Sequence, residues 1–410
     1  MELSEFTEIR IGQMSDLHLG YRQYGKFDRV KDFYSAAATA AELLIEQEPD
    51  LVIIPGDIFH RSLPYPVEQR QAFALLGLFK HHDIPVVVTR GNHDASYAWT
   101  KRQGGNEIDV LQDLGLVTYL EDEVREFDIG DGKQVRVWGQ GYHGGDASTH
   151  LTELVESNYD SISDKSIPNV LMLHEYLENL VASAGLSEYA IGVHGFHYVA
   201  IGHYHGWWVN GAGDMCCTGS TEHVSAAEWD ELERSVALVT LKKMKTGWKP
   251  NISRMTFKVR PKKRKTLDLG IVTIEDARKE VSDSLAELDQ EEVIIRLDVK
   301  GTLSDTQGGF DISSLAQEAK KAFHVMVVPE MDYAGLPIPE NISNTDVMKE
   351  VFTEKLGIPK SQAGRWTKLA EGLKDVINGP IDSQTEATAL DLLYAFVCAE
   401  SKKPQKRRRK

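Results

Sequence analysis

Five times before residue 206, a short apolar stretch runs directly into residues that bind metals. Glu8–Met14 leads to Asp16-Leu17-His18, and Leu51–Ile54 to Gly56-Asp57-Ile58-Phe59-His60. Ile84–Thr89 leads to Gly91-Asn92-His93-Asp94, Val170–Leu173 to His174, and His197–Ile201 to Gly202-His203-Tyr204-His205. Between the first three stretches lie segments of helical spacing: Val30, Phe33, Ala37, Ala41 and Leu44, then Val67–Lys80. Strand–helix alternation of this kind predicts an α/β domain with parallel strands. In a strand, residues i and i+2 project to one side, so Asp16 with His18, and His203 with His205, meet at one point if the strand ends do. After Leu116 the strands are shorter and less regularly separated by helices (Val124–Phe127, Gln134–Trp138, Val236–Leu241), which predicts a second sheet packed on the first.

The donor types choose the chemistry. Carboxylate oxygen with imidazole nitrogen suits Mn, Fe or Zn better than Ca or Mg. Cysteine plays no part: the chain has three, two of them adjacent at Cys216 and Cys217, which rules out a disulfide framework or a thiolate zinc site and fits a reducing compartment. Asp16, His18, Asp57, Asn92, His174, His203 and His205 are seven groups, too many for one tetrahedral ion. Two ions sharing Asp57 accommodate them all. Their charge against two carboxylates leaves about +2, which attracts a phosphate, and ions ~3.5–4 Å apart can hold a nucleophile and a phosphoryl oxygen together. His60 and His93 stay outside this count. His93 follows a ligand residue in a tight turn and is positioned to protonate a leaving oxygen or stabilise developing charge; His60 can assist. A lone Asp-x-His or Gly-Asp is common and means little. The order and strand context of the five together carry the reading. The other histidines (His81, His82, His143, His150, His194, His197, His223, His324) read as surface or supporting groups, with His143 and His223 the hardest to set aside.

The net charge of -16 argues against a generic nucleic-acid coat, since nonspecific phosphate binding needs a positive surface. Two local runs oppose it: Lys258–Lys265 reads KVRPKKRK, a solvated turn or a DNA contact, and Lys402–Lys410 reads KKPQKRRRK. No apolar run approaches the ~18 residues of a membrane helix, and the acidic N-terminus is not a signal peptide. The spacing predicts a domain over 1–250, then an α+β module over 251–329: helix Ile274–Leu288, strand Val293–Val299, helix Ile312–Phe323 and strand His324–Val328. A Gly- and Pro-rich loop marks a linker at 330–343. A helical region over 344–400 carries the stripe Trp366, Leu369, Leu373 and Val376, stopped by Gly379-Pro380. A capping box at Ser383 and Glu386 then opens a helix with Leu390, Leu393 and Val397, before a basic tail at 401–410.

Asp-x-His, Gly-Asp, Gly-Asn-His-Asp, His and Gly-His-x-His, in this order, resemble the calcineurin-like metallophosphoesterases. His18-Leu19-Gly20-Tyr21-Arg22-Gln23-Tyr24, Gly56-Asp57-Ile58-Phe59-His60, Leu171-Met172-Leu173-His174 and Gly219-Ser220-Thr221-Glu222 resemble, within them, the meiotic recombination eleven family in its archaeal form. The resemblance covers Ile9 to about Leu241 and weakens beyond. It implies an α/β two-sheet sandwich flanked by helices, a small α+β DNA-capping domain and a C-terminal helical tail. It implies a Mn-dependent DNA nuclease, a 3'-5' double-strand exonuclease and single-strand endonuclease, that processes DNA ends in double-strand break repair, cytoplasmic and nucleoid-associated. Two Mn ions are implied, one on Asp16, His18, Asp57 and His205, the other on Asp57, Asn92, His174 and His203. His93 and His60 would be catalytic. Arg22, Lys262, Lys263 and Arg264 would meet DNA. A homodimer would form on helices carrying Phe73, Leu76 and Leu111, and the tail would dock a Rad-fifty-type coiled-coil ATPase. Two departures touch the DNA edge: Gly206-Trp207-Trp208 stands where the family often has basic residues, and Glu175 where it often has Gln. The competing readings are a metallophosphatase on another phosphoester and a non-catalytic scaffold for the ATPase.

Overall fold

The computed structural model describes residues 8–95, 105–181, 185–304, 311–333, 349 and 360–377. Two six-stranded sheets make the first compact unit. One runs β12-β11-β1-β2-β3-β4, from strands β1 (Glu8–Gln13), β2 (Leu51–Pro55), β3 (Val86–Thr89), β4 (Thr118–Tyr119), β11 (Glu233–Met244) and β12 (Gly247–Lys258). The other runs β5-β6-β7-β8-β10-β9, from β5 (Glu123–Asp128), β6 (Gln134–Gln140), β7 (Asn169–His174), β8 (Tyr198–Gly202), β9 (Trp208–Val209) and β10 (Met215–Cys217). β1 to β4 are parallel, as are β6, β7 and β8. Within β2, period-two alternation splits the apolar run between two cores. Leu51 and Ile53 face the second sheet with Ile9, Ile11, Val170 and Met172, whereas Val52 and Ile54 face the helices with Ala37, Ala41, Leu44 and Phe79. Burial on both faces is why these strands read as unbroken apolar runs. Each fully buried Leu or Ile stabilises the sandwich by roughly 1.5–3 kcal/mol.

The expected helices stand at Phe27–Ile45, with Val30, Phe33, Ala37, Ala41 and Leu44 all buried, and at Pro66–His81. Pro66 opens the second of these, and the Glu68 carboxylate accepts the Tyr65 N–H at 2.8 Å. Leu76 and Leu111, expected at a dimer surface, are instead fully buried in this unit's own core, and Phe73 is half-buried against it. The outward apolar residues of Pro66–His81 and of the helix Glu107–Asp113, which carries Leu111, are Val67 and Val110, with Leu114 at the C-cap of the latter.

The boundary expected after residue 250 falls inside β12. That strand pairs with β11 along its whole length, Glu233 opposite Lys258 and Met244 opposite Gly247, and the first unit runs on to Arg264. Pro250 is tolerated there because β12 is an edge strand. The basic run is not a turn. Lys258 ends β12, and Lys262 begins β13 (Lys262–Val272) with its side chain buried against Glu222 at 2.7 Å. Lys262 is therefore withdrawn from the DNA-contact set. Lys263 is half-buried and Arg264 exposed. Arg22 is exposed, its guanidinium donating to the Gly25 carbonyl at 2.8 Å.

Glu222 also accepts from Arg29 at 3.1 Å and from the His223 backbone N–H at 2.7 Å. Burial alone would raise its pKa, but the His223 hydrogen bond and the charges of Lys262 and Arg29 outweigh burial and hold it well below the carboxylate range. A depressed carboxylate stabilises the fold above its unfolded pKa, and that stabilisation is lost as pH falls toward the folded value. Urea titrations should therefore show stability dropping below about pH 4.5. Glu222→Gln should cost about 3–5 kcal/mol at neutral pH, by stranding the buried Lys262 while Arg29 keeps Asp32 at 2.8 Å, and flatten that acid dependence.

The second compact unit holds a three-stranded sheet, β13-β14-β15, with β14 at Ile294–Leu303 and β15 at His324–Tyr333. Its helix Ile274–Leu288 is capped by Thr273, whose hydroxyl accepts the Asp276 N–H, and buries Ala277, Val281, Leu285 and Leu288. Two expectations change here. Only a short 3-10 helix, Ile312–Glu318, occupies the expected helix Ile312–Phe323, and β15 continues through Pro329 to Tyr333, so the linker cannot begin at 330. The rest of the linker, 334–343, lies outside the described residues. Of the tail, the helix Lys360–Ile377 is described, with Trp366 and Leu369 half-buried. The Ser383 capping box, the last helix and the basic tail lie outside the described residues. Among the described residues no helix is long and apolar enough to cross a membrane.

Candidate metal centre

Each strand end delivers its residues through strained or crowded backbone. Asp16, His18, Asp57 and His203 all have positive φ (54°, 45°, 51° and 76°), a conformation L-residues adopt at a cost and one that clusters at functional sites. The intervening glycines are needed for clearance. A Cβ at Gly56 would lie 2.3 Å from His174 Nδ1, and one at Gly91 would lie 2.1 Å from Asp57 Oδ1. A Cβ at Gly202 would lie 1.9 Å from the Pro55 carbonyl oxygen, which no side-chain shift can relieve. Gly202→Ala should therefore lower stability by about 1–3 kcal/mol in urea melts, by forcing β8 away from β2. The β7–β8 register sets His174 opposite Gly202, one residue before His203. Backbone N–H groups of Asp16, His18 and Leu19 donate to the carbonyls of Gly56, Asp57 and Ile58, lacing the first two motifs together.

The result is two donor sets with one shared carboxylate. Asp16, His18 and His205 have ligand atoms within 4.8 Å of one another, as do Asp57, His174 and His203. Asp57 Oδ2 lies 3.7 Å from His18 Nε2 and 3.4 Å from His174 Nε2, so it faces both sets. Its other oxygen accepts the His93 backbone N–H at 2.9 Å. Asn92 Oδ1 lies 3.0 Å from His174 Nε2, joining the second set. The structure thus brings all seven expected donors together. His93 and His60 sit beside them: His93, His60 and His18 form a third close group, and the His60 and His93 rings stack at 4.9 Å.

The histidines are oriented from behind. His174 Nδ1 lies 2.9 Å from the Pro55 carbonyl and His205 Nδ1 lies 3.1 Å from Glu228, so each points Nε2 at the centre, the usual arrangement behind a metal ligand. Asp94 fixes the loops by accepting N–H groups of Ile58, Phe59 and Gly91 at 3.0–3.2 Å. Burial pushes its carboxyl up to about 6, with the Asp57 charge adding to the shift. Tyr21 stacks on His60 at 3.9 Å, and Tyr176 tilts over His203 at 3.7 Å. Glu228 and Tyr176 are not among the residues singled out by the sequence, and Tyr21 stands there only as part of the His18–Tyr24 motif, without its contact to His60. Ser225-x-x-Glu228 spells a capping box, and the structure forms one, but its second use on His205 depends on a partner 23 residues away. Glu175 is buried and takes the Gly144 N–H at 2.8 Å, so it is a structural brace rather than part of a DNA edge.

The electrostatics fit cations. Burial holds His18 well below its usual range and carries His203 down to about 3, so both imidazoles keep a free lone pair at neutral pH. Burial raises Asp16 against the pull of His174 and His205, the mark of a buried anion short of positive charge. Burial would also raise Asp57, but His174, His18 and His93 outweigh it and hold it ionised. Against burial, the Asp57 charge raises His174 to about 10 and Glu228 raises His205, so at these two positions a proton balances the buried carboxylates and a metal would have to displace it. Imidazoles, an amide oxygen and buried carboxylates are the donor set of a transition-metal pair. A cavity of about 480 Å³ opens on the His93 side, lined by His60, Arg61, Ser62, Leu63 and Asn92. Separately, His143 Nε2 lies 2.9 Å from Asp122 and its ring stacks on His150 at 3.7 Å, a surface trio apart from this centre.

The family model described as calcineurin-like phosphoesterase matches residues 9–207. Curated relatives carry the name "DNA double-strand break repair protein Mre11". One from Archaeoglobus fulgidus is 37% identical over 112 residues, which are 27% of this chain and 24% of that protein. One from Saccharolobus solfataricus is 26% identical over 65% of this chain and 70% of its own length. One from Methanosarcina mazei is 26% identical over 95% of this chain and 61% of its own. The matched region therefore spans from about a quarter to under three-quarters of these relatives. Among solved structures, a dimetal phosphatase from Danio rerio overlaps at a TM-score of 0.36 and 12% identity, covering 61% of this chain and 99% of that one.

Proposed function

We propose that this chain, which belongs to the calcineurin-like metallophosphoesterases and within them to the Mre11 family, is a divalent-metal-dependent DNA nuclease that processes ends in double-strand break repair. The observation that carries the reading is Asp57 facing two buried donor sets at once, with His93 beside them and outside both. Asp16, His18, Asp57 and His205 would hold one ion, and Asp57, Asn92, His174 and His203 the other. Mn is the ion we favour, on the mixed oxygen and imidazole donors. When bound, such a pair supplies Lewis-acid polarisation of a phosphoryl group and a nucleophile drawn from water at neutral pH.

The remaining work falls to the chain's own residues. His93 Nδ1 lies 2.9 Å from the His60 carbonyl oxygen and donates to it, so the ring acts as an acid in its imidazolium form, Nε2 giving the second proton to the leaving oxygen and keeping the electron pair. His60 has a different role. Burial, with His93 and Arg61 adding, brings it down to about 4, so it is neutral at physiological pH. Clamped between Tyr21 and His93, it shapes the approach of the strand and donates no proton.

The partners follow from the same family reading. Arg22, Lys263 and Arg264 remain for DNA. A homodimer would use Val67, Val110 and Leu114 in place of the buried Leu76 and Leu111. The helix Lys360–Ile377 would dock a Rad-fifty-type coiled-coil ATPase through its Trp366 stripe. The deciding experiment is a Mn titration on a blunt linear duplex and a circular single strand, with and without the ATPase. Cleavage of either that rises with Mn and stops with chelator supports the reading. No cleavage under any condition, from protein that has bound two ions, overturns it in favour of a scaffold.

A further inference from the structure

Beside the donor cluster, a second cavity of about 370 Å³ is lined by Tyr176, Tyr204, His205 and Trp207 among others. It shares His205 with the first donor set, and the Tyr176 ring leans over His203 of the second, so the cavity adjoins both donor sets. Its three aromatic rings are half-exposed, and each has something that keeps it in place. The Arg254 guanidinium covers the Trp207 indole at 4.8 Å, and Arg254 is itself paired with Glu231 at 3.2 Å. Tyr204 is held where a side chain at 206 would stand: a Cβ on Gly206 would lie 2.8 Å from its ring. The charged lining is acidic, with Glu228, Asp230 and Glu231. The cationic lining residue, Arg234, is buried; its Nε and Nη2 go to Ser220 and the His205 carbonyl, its Nη1 has no partner among the described residues, and Glu228 stands 4.0 Å from its Nη2.

We propose that this cavity is a nucleobase subsite: it takes one unstacked base of the strand being cut, next to the phosphate held over the two donor sets. The inference rests on the nuclease reading and adds to it a substrate form. Three carboxylates against one buried guanidinium disfavour a phosphate in this cavity, while exposed aromatic faces attract an uncharged planar group. A base can enter only after leaving its stack and its pair, which selects frayed, mismatched or single-stranded DNA at the point of cleavage. It also gives the Gly206-Trp207-Trp208 segment a use. Where basic residues would grip the backbone, this chain offers a ring.

The test compares a single-stranded oligonucleotide with the same strand carrying tetrahydrofuran abasic sites around the scissile position. Binding is read by fluorescence anisotropy of the full chain in EDTA, and cleavage separately with Mn. Wild type should prefer the base-bearing strand roughly 10-fold in both readouts. Trp207→Ala should erase that preference, and Trp207→Phe, which keeps a ring, should retain it. The subsite is overturned if wild type treats both strands alike, or if the preference survives in both Trp207→Ala and Tyr176→Ala. If wild type cuts neither strand with Mn present, the nuclease reading fails, and the comparison in EDTA still decides the subsite.

Discussion

Asp57→Ala should empty both metal positions at once and leave no measurable phosphodiester cleavage. One carboxylate oxygen of Asp57 faces His18 at 3.7 Å and His174 at 3.4 Å, so each donor set loses its shared anion when that side chain goes. The other oxygen holds the His93 backbone N–H, so the loop carrying Asn92 and His93 is released as well. Asn92→Ala removes a donor from the second set alone and should leave one tight ion. Metal analysis of dialysed, Mn-reloaded protein distinguishes the cases: two ions per chain in wild type, one in Asn92→Ala, none in Asp57→Ala. One ion retained in Asp57→Ala would mean that the two sets are independent and that the bridging role is wrong.

Much of this centre could be read from the chain because every donor lies at or shortly after the end of a sandwich strand, and strands buried on both faces announce themselves as unbroken apolar runs. Leu51–Pro55 and Asn169–His174 are buried throughout, each between its helices and the facing sheet. The failures share a different cause, which is direction. Helical spacing showed that Leu76 and Leu111 lie on apolar stripes, but a stripe does not say whether it faces its own core or another chain. Lys262 looked solvated among its basic neighbours, yet in β13 it turns inward, where Glu222 stands 40 residues away in sequence to receive it. Pro250 read as a break because its meaning depends on whether its strand is central or at an edge. Glu228 carried a legible local signal, the capping box, and an illegible distant one, the brace on His205. Local pattern thus identified the elements and the donor atoms. The partners that orient those atoms come from elsewhere in the fold.

His93→Gln should lower cleavage by about 10²- to 10⁴-fold, the range for loss of a general acid, while both ions stay bound. The separation follows from which of its atoms are in use. The bond to Asp57 comes from the His93 backbone N–H, which the substitution keeps. Nδ1 is committed to the His60 carbonyl, a hydrogen bond the Gln amide can replace. What Gln cannot supply is a proton on Nε2. Because His93 also lies within 4.8 Å of His18 and His60, a competing reading makes it a ligand, and metal analysis separates the two. Stoichiometric loss of an ion in His93→Gln would make it a ligand and end its assignment as acid. His60→Ala is the internal contrast. With its pKa brought down to about 4, His60 has no proton to give at neutral pH, so its removal should act through the shape of the strand's approach. The kinetic constants should tell the two apart: His93→Gln should lower kcat with KM little changed, whereas His60→Ala should act mainly on KM.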